Sequence, residues 1–117
     1  MEAPKPYREM RPWGEFVKFT ENTASTVKII TVNPGQSLSL QHHHSRDEFW
    51  RIISGEGTVE IGLSGPIPAI VGHDYFCPRE TNHRISADRE PLIILEISFG
   101  DFDEKDIGRV EDRYGRV

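Results

Sequence analysis

The stretch Gln41-His42-His43-His44-Ser45-Arg46-Asp47-Glu48 sets imidazoles, a carboxamide and a carboxylate close together in the chain. Outward from it, Gly35 stands upstream with five residues before Gln41, Gly55 follows Glu48 with six residues between, and His83 lies far downstream. A glycine at position 35 permits a turn that aims the strand after it. Nitrogen and oxygen donors at these spacings are able to converge on one divalent cation. Set in a chain of short strands, the pattern points to a small metal-holding β-barrel.

Alternation of polar and apolar residues predicts strands over 14–19, 26–32, 37–43, 49–54, 58–63, 69–71, 75–77, 83–86 and 92–99. Turn signals such as Asn33-Pro34-Gly35, Ser54-Gly55-Glu56-Gly57 and Ser64-Gly65-Pro66 separate them. Short strands at a spacing of roughly ten residues mean an all-β sandwich or barrel. Helical periodicity is confined to Asp103–Ile107, where a short C-terminal helix is expected. Residues 1–10 read as a loosely held N-terminal arm and 11–117 as a single domain. Within 37–43, Ser37, Ser39, Gln41 and His43 share one face, and Leu38, Leu40 and His42 the other. A polar face suits the wet interior of a ligand-holding barrel.

With 117 residues the chain suits one domain. Its single cysteine, Cys77, excludes an internal disulfide and a multi-cysteine metal cage, and its apolar neighbours suggest a buried thiol. No apolar run approaches the roughly 20 residues of a membrane helix, and the N-terminus lacks a secretory h-region, so a cytoplasmic protein without membrane contact is expected. The net charge of −5, with basic residues scattered, argues against nucleic acid. An anionic small molecule stays open, because a local basic pocket overrules the global sign.

Residues 41–48 and 83 resemble the two motifs of the cupin superfamily, a double-stranded β-helix or jelly-roll-like barrel. Counted from Gly35, every spacing of the first motif fits Gln41, His43 and Glu48, with glutamine in place of the first histidine. A second register, His42 and His44 with Glu48, keeps two imidazoles but puts His42 on the face of Leu38 and Leu40. Gly72, Pro78 and His83 match the second motif, while Glu80 stands where glycine is usual and Ala87 where asparagine is usual. The turn before His83 is then expected to rely on Asn82 at positive φ. Gln41, His43, Glu48 and His83 together offer an amide oxygen, two imidazoles and a carboxylate, a set suited to one divalent ion of Zn, Co, Mn, Ni or Fe.

More of the chain resembles one cupin family. Arg11-Pro12-Trp13-Gly14, Lys28, Ser37–Gln41, Arg46–Trp50, His83-Arg84, Pro91–Glu96 and Glu111–Arg116 together are similar to the type II mannose-6-phosphate isomerase domain. That domain is often fused behind a mannose-1-phosphate guanylyltransferase; here it is expected to stand alone. Ser45 and Phe49 take positions where the family often has histidine. The resemblance implies the Gln41/His43 register and the interconversion of mannose 6-phosphate and fructose 6-phosphate.

Such chemistry moves a proton between C2 and C1 through an enediol and needs a base, an oxyanion stabiliser and a phosphate anchor. Glu96 ends the apolar stripe Leu92, Ile94, so burial would raise its pKa; it is read either as the base or as a group orienting a histidine ligand. Lys28 and Arg84 complete the catalytic candidates, although Arg84 alternates with His83 along its strand. Arg11, Arg113 and Arg116 are candidates for phosphate, since guanidinium forks match its oxygens. In the family reading the charged tail folds over the barrel mouth. Two rival readings are a module that binds a sugar phosphate without turnover, and a metal-dependent dioxygenase, against which the glutamine counts. A homodimer is expected, through Leu38/Leu40 or Ile93/Leu95/Ile97.

Overall fold

Eleven strands and no helix make up the chain in the computed structural model, which describes residues 1–117. Strands β1 (Tyr7–Arg11) and β2 (Gly14–Lys18) form a hairpin of their own. One sheet runs in the order β3 (Thr26–Val32), β10 (Leu92–Gly100), β5 (Arg46–Ser54), β8 (Asp74–Cys77). The other runs β11 (Gly108–Glu111), β4 (Leu40–His42), β9 (His83–Ala87), β6 (Gly57–Ile61), β7 (Pro66–Pro68). Neighbouring strands are antiparallel, and the two sheets close on a shared core of Val32, Trp50, Ile52, Val59, Ile85, Leu92 and Ile94, among others. No helix is long and apolar enough to cross a membrane.

The period-two alternation of strands places the site. Along β10, Leu92, Ile94, Glu96 and Ser98 are all buried on one face, so a single stripe turns from apolar to polar. Its neighbours turn at the same level. Ile94 sits opposite Ile30 and Ile52, whereas Glu96 sits opposite Lys28 and Trp50, and Ser98 opposite Glu48. On the facing sheet His83 is followed inward by Ile85 and Ala87. One end of the barrel is therefore an apolar plug and the other a polar chamber. Outside the four-stranded sheet, Phe49, Ile97 and Phe99 form a smaller cluster with Phe19 and Leu95 against them. Leu38 packs on the main core and Ile97 is buried, so the apolar side chains left open on this sheet are Val27, Ile29 and Ile53.

Several expectations are corrected here. Asp103–Ile107 forms a turn, not a helix: Asp103 accepts the Lys105 N–H on its side chain and the Asp106 N–H on its carbonyl. Nucleating a helix on so few residues is unfavourable, and the following residues are claimed by β11 pairing with β4. The hairpin crosses the boundary drawn between residues 10 and 11, because Tyr7–Met10 already pair with β2. The expected strand at 69–71 lies instead at Pro66–Pro68, on the sheet edge, where prolines that lack an N–H are tolerated. Finally, Glu80 itself takes the positive φ (67°) expected of Asn82. Its N–H is held by the His43 carbonyl at 2.7 Å, so the glutamate adopts the left-handed turn that glycine would take freely.

Candidate metal centre

His43, Glu48 and His83 are buried together, and their ligand atoms all lie within 4.8 Å of one another. Glu48 Oε2 is 3.6 Å from His43 Nε2, and Oε1 is 3.3 Å from His83 Nε2. Glu48 comes from β5, His83 from β9 and His43 from the residue after β4, so both sheets contribute. His42 and His44 turn elsewhere: His42 Nδ1 meets Asn82 Oδ1 at 3.1 Å and His44 Nδ1 meets the Glu80 carboxylate at 3.0 Å. It is thus His43 that shares the chamber with Glu48 and His83.

Both histidines have their tautomer fixed from behind. His43 Nδ1 donates to the Asp106 carbonyl at 2.6 Å, and His83 Nδ1 donates to the Thr81 carbonyl at 3.1 Å with Cys77 Sγ at 3.0 Å. Each Nε2 is left with a lone pair facing the chamber, which is the form a metal ligand needs. Burial lowers the pKa of His43, and burial with the neighbouring His43 charge lowers that of His83 to about 4, so both rings are neutral at pH 7. Burial raises Glu48, with Arg46 pulling the other way. The buried His83 Nε2 has no hydrogen-bond partner, although a carboxylate oxygen stands beside it. Two acceptors face to face call for a cation or a proton between them. The donor set therefore fits a divalent ion, with His43, Glu48 and His83 as the residues to hold it.

Gln41 borders this trio. Ser39 Oγ donates to its Oε1 at 2.6 Å, and its Nε2 lies 3.5 Å from His43 Nε2, so the amide nitrogen faces the centre. Service as an oxygen ligand requires the amide to turn over. Glu96, also buried, has its pKa pushed up to about 7, first by burial and then by the charge of Glu48. Lys28 reaches the rim of the chamber, where its Nζ pairs with Glu104 at 2.7 Å and lies 4.5 Å from the Phe102 ring centre.

Residues 3–112 match the family model described as mannose-6-phosphate isomerase C-terminal. The chain belongs to that family. It is 35% identical over 115 residues to the mannose-1-phosphate guanylyltransferase ManC of Salmonella typhimurium, covering 95% of this chain and 24% of that protein. The chain thus spans about a quarter of the length of the curated relatives it matches. Among solved structures, a double-stranded β-helix protein from Klebsiella pneumoniae superposes with a TM-score of 0.66 at 18% identity, covering 96% of this chain and 90% of that one. A putative sugar phosphate isomerase from Acidithiobacillus ferrooxidans gives 0.59 at 27% identity, covering 68% and 51%.

The candidate arginines are each bonded to partners outside the trio. Arg11 sits in the hairpin bonded to Glu9. Arg84 pairs with Glu111 at 2.6 Å, Arg113 donates to the Gly35 carbonyl at 2.5 Å, and Arg116 pairs with Asp112 at 2.8 Å. A cleft of about 360 Å³ between Ser37, Leu38, Arg84 and Glu111–Arg113 lies on that side of the molecule, away from the trio. The arginine in the chamber is Arg46. It is 5% exposed, and it donates from Nε to Glu48 Oε2 at 3.2 Å, from Nη2 to His43 Nε2 at 3.2 Å and from Nη1 to the Asp103 carbonyl at 3.0 Å. Its signal was present in the sequence, since residues 46, 48 and 50 must share a strand face. Asp106, which also binds the His44 and Ser45 amides through its carboxylate at 2.9 Å, carried no such signal.

Proposed function

We propose that this domain catalyses the interconversion of mannose 6-phosphate and fructose 6-phosphate. The observation that carries the reading is the placement of Glu96, a buried carboxylate poised near neutral pH, in the same chamber as His43, Glu48 and His83. The family match and the likeness to a putative sugar phosphate isomerase support it. A divalent ion bound by the trio supplies Lewis-acid polarisation of the substrate oxygens. Glu96 is the group to take the proton from C2 of the aldose and return it to C1 of the enediol, its Oε1 steadied by Ser98 Oγ at 3.5 Å. Asp106 and Thr81 orient the two imidazoles, and Phe102 shields the chamber from water beside Lys28 and Arg46. Lys28, half-buried at the rim, can exchange its Glu104 partner for the phosphate.

The test is turnover of mannose 6-phosphate by folded protein loaded with Zn²⁺, Co²⁺ or Mn²⁺, with Glu96→Gln as control. Fructose 6-phosphate is expected from the wild type and not from the variant; absence of product with all three metals ends the proposal. The departures from the family pattern at Ser45, Phe49 and Ala87 motivate one alternative, a sugar-phosphate-binding module without turnover, which calorimetric binding with zero product would support. Beside this reading we propose a cytoplasmic setting and a homodimer paired over the outer face of the four-stranded sheet, where half-buried Ile93 and Leu95 adjoin exposed Val27 and Ile29.

A further inference from the structure

Arg46 holds the electron pairs that a metal ion would use. With Nδ1 of His43 committed to the Asp106 carbonyl, Nε2 is an acceptor, and the Arg46 Nη2 hydrogen is directed to it at 3.2 Å. Nε of the same guanidinium is directed to Glu48 Oε2 at 3.2 Å. Two of the three ligand residues therefore already serve a cation, and a bound dication would stand within a few ångströms of a guanidinium that stays charged at all ordinary pH. Like charges so close in a buried site disfavour one another strongly. The guanidinium also has a way out. Its third contact is the Asp103 carbonyl, its face lies 4.5 Å from the Phe102 ring centre, and Asp101, Asp103 and Glu104 provide carboxylates along that segment. The same segment is tied to the ligands by Asp106 and to the rim by Glu104.

We propose that Arg46 is a tethered internal cation that competes with the divalent ion for His43 and Glu48, and that metal binding drives it outward against segment 101–107. Arg46 is a positioning residue in this scheme: it sets how tightly the centre takes its ion and couples occupancy to the cover. The inference rests on the trio being a metal centre.

Zinc titration of chelator-treated protein by calorimetry tests both ideas. Arg46→Met, which keeps the apolar stem and removes the charge, is expected to bind Zn²⁺ about tenfold more tightly than wild type. Arg46→Lys, which keeps the charge without the fork, is expected to fall between them. In the wild type, the Arg46 Nε–Hε resonance is expected to shift on saturation with Zn²⁺, and amides of 101–107 to exchange faster. That wild-type measurement decides the matter even where a variant does not fold. Zinc binding by wild type with an unmoved Arg46 resonance, or with equal or weaker affinity in folded Arg46→Met, overturns the role of Arg46 and leaves the metal centre intact. No zinc binding by folded wild type brings down the metal centre, and this inference with it.

Discussion

At one end of the barrel Val32, Ile52, Val59, Ile85, Leu92 and Ile94 turn inward, all buried and all apolar; at the other, strands of the same two sheets send in Arg46, Glu48, His83, Glu96 and Ser98. Burial of apolar surface stabilises the first end by about 25 cal/mol per Å² removed from water. The second end buries ionisable groups that cost stability unless each finds a partner, and a buried ion pair is weak evidence of stabilisation. The two ends thus divide the work: the plug holds the sheets together, and the chamber spends part of that stability on keeping reactive groups dry.

This division can be broken most severely from the apolar side. Ile94→Ala is expected to cost about 2–5 kcal/mol in denaturant unfolding, because Ile94 is fully buried against both neighbouring strands. The mirror experiment in the chamber is Glu48→Gln, expected to weaken Zn²⁺ binding about a hundredfold. His42→Ala should leave zinc affinity within about twofold; equal losses from both would reassign the ligands. Next comes pH. The Glu96 pKa is raised to about 7 in the fold, against an ordinary value near 4.5. Between those values Glu96 keeps a proton in the folded state that it loses in the unfolded one, so its own contribution to stability falls as pH rises, while His43 and His83, with lowered pKa values, contribute in the opposite sense. The Glu96 share shows as a difference: relative to chelator-treated wild type, Glu96→Gln is expected to gain about 2–3 kcal/mol of stability in denaturant unfolding as pH is raised from 4.5 to 8. The smallest effect is local. Glu80→Gly relieves the left-handed residue and gives up an exposed ion pair with His44, so a gain of about 0.5–1 kcal/mol is expected in thermal unfolding.

The sequence made the contrast legible wherever strand alternation carries it. Leu92, Ile94 and Glu96 were readable as one stripe because strand side chains alternate with a period of two, and His43, Glu48 and His83 as one cluster through the spacing of the cupin motifs they resemble. What depends on distant partners was not readable. β11 is a short charged segment that becomes a strand through β4, and the Asp103–Ile107 turn is anchored by the Asp106 carboxylate, whose partners lie some sixty residues away. Arginines pair with whatever acceptor the fold brings near, so the partners of Arg84, Arg113 and Arg116, which are Glu111, the Gly35 carbonyl and Asp112, carried no local signal. Arg46 was hidden by the opposite bias, since a guanidinium is seldom expected to be buried.

Cys77, the chain's lone thiol, lies at the back of the chamber against the Nδ1 side of His83, and burial pushes its pKa up to about 12. A thiol in that setting is a clock. It can lose its proton to water and meet an alkylating reagent only when the wall behind His83 parts, so the rate at which label accumulates times the breathing of the barrel, and an ion that clamps His83 from the front should slow it.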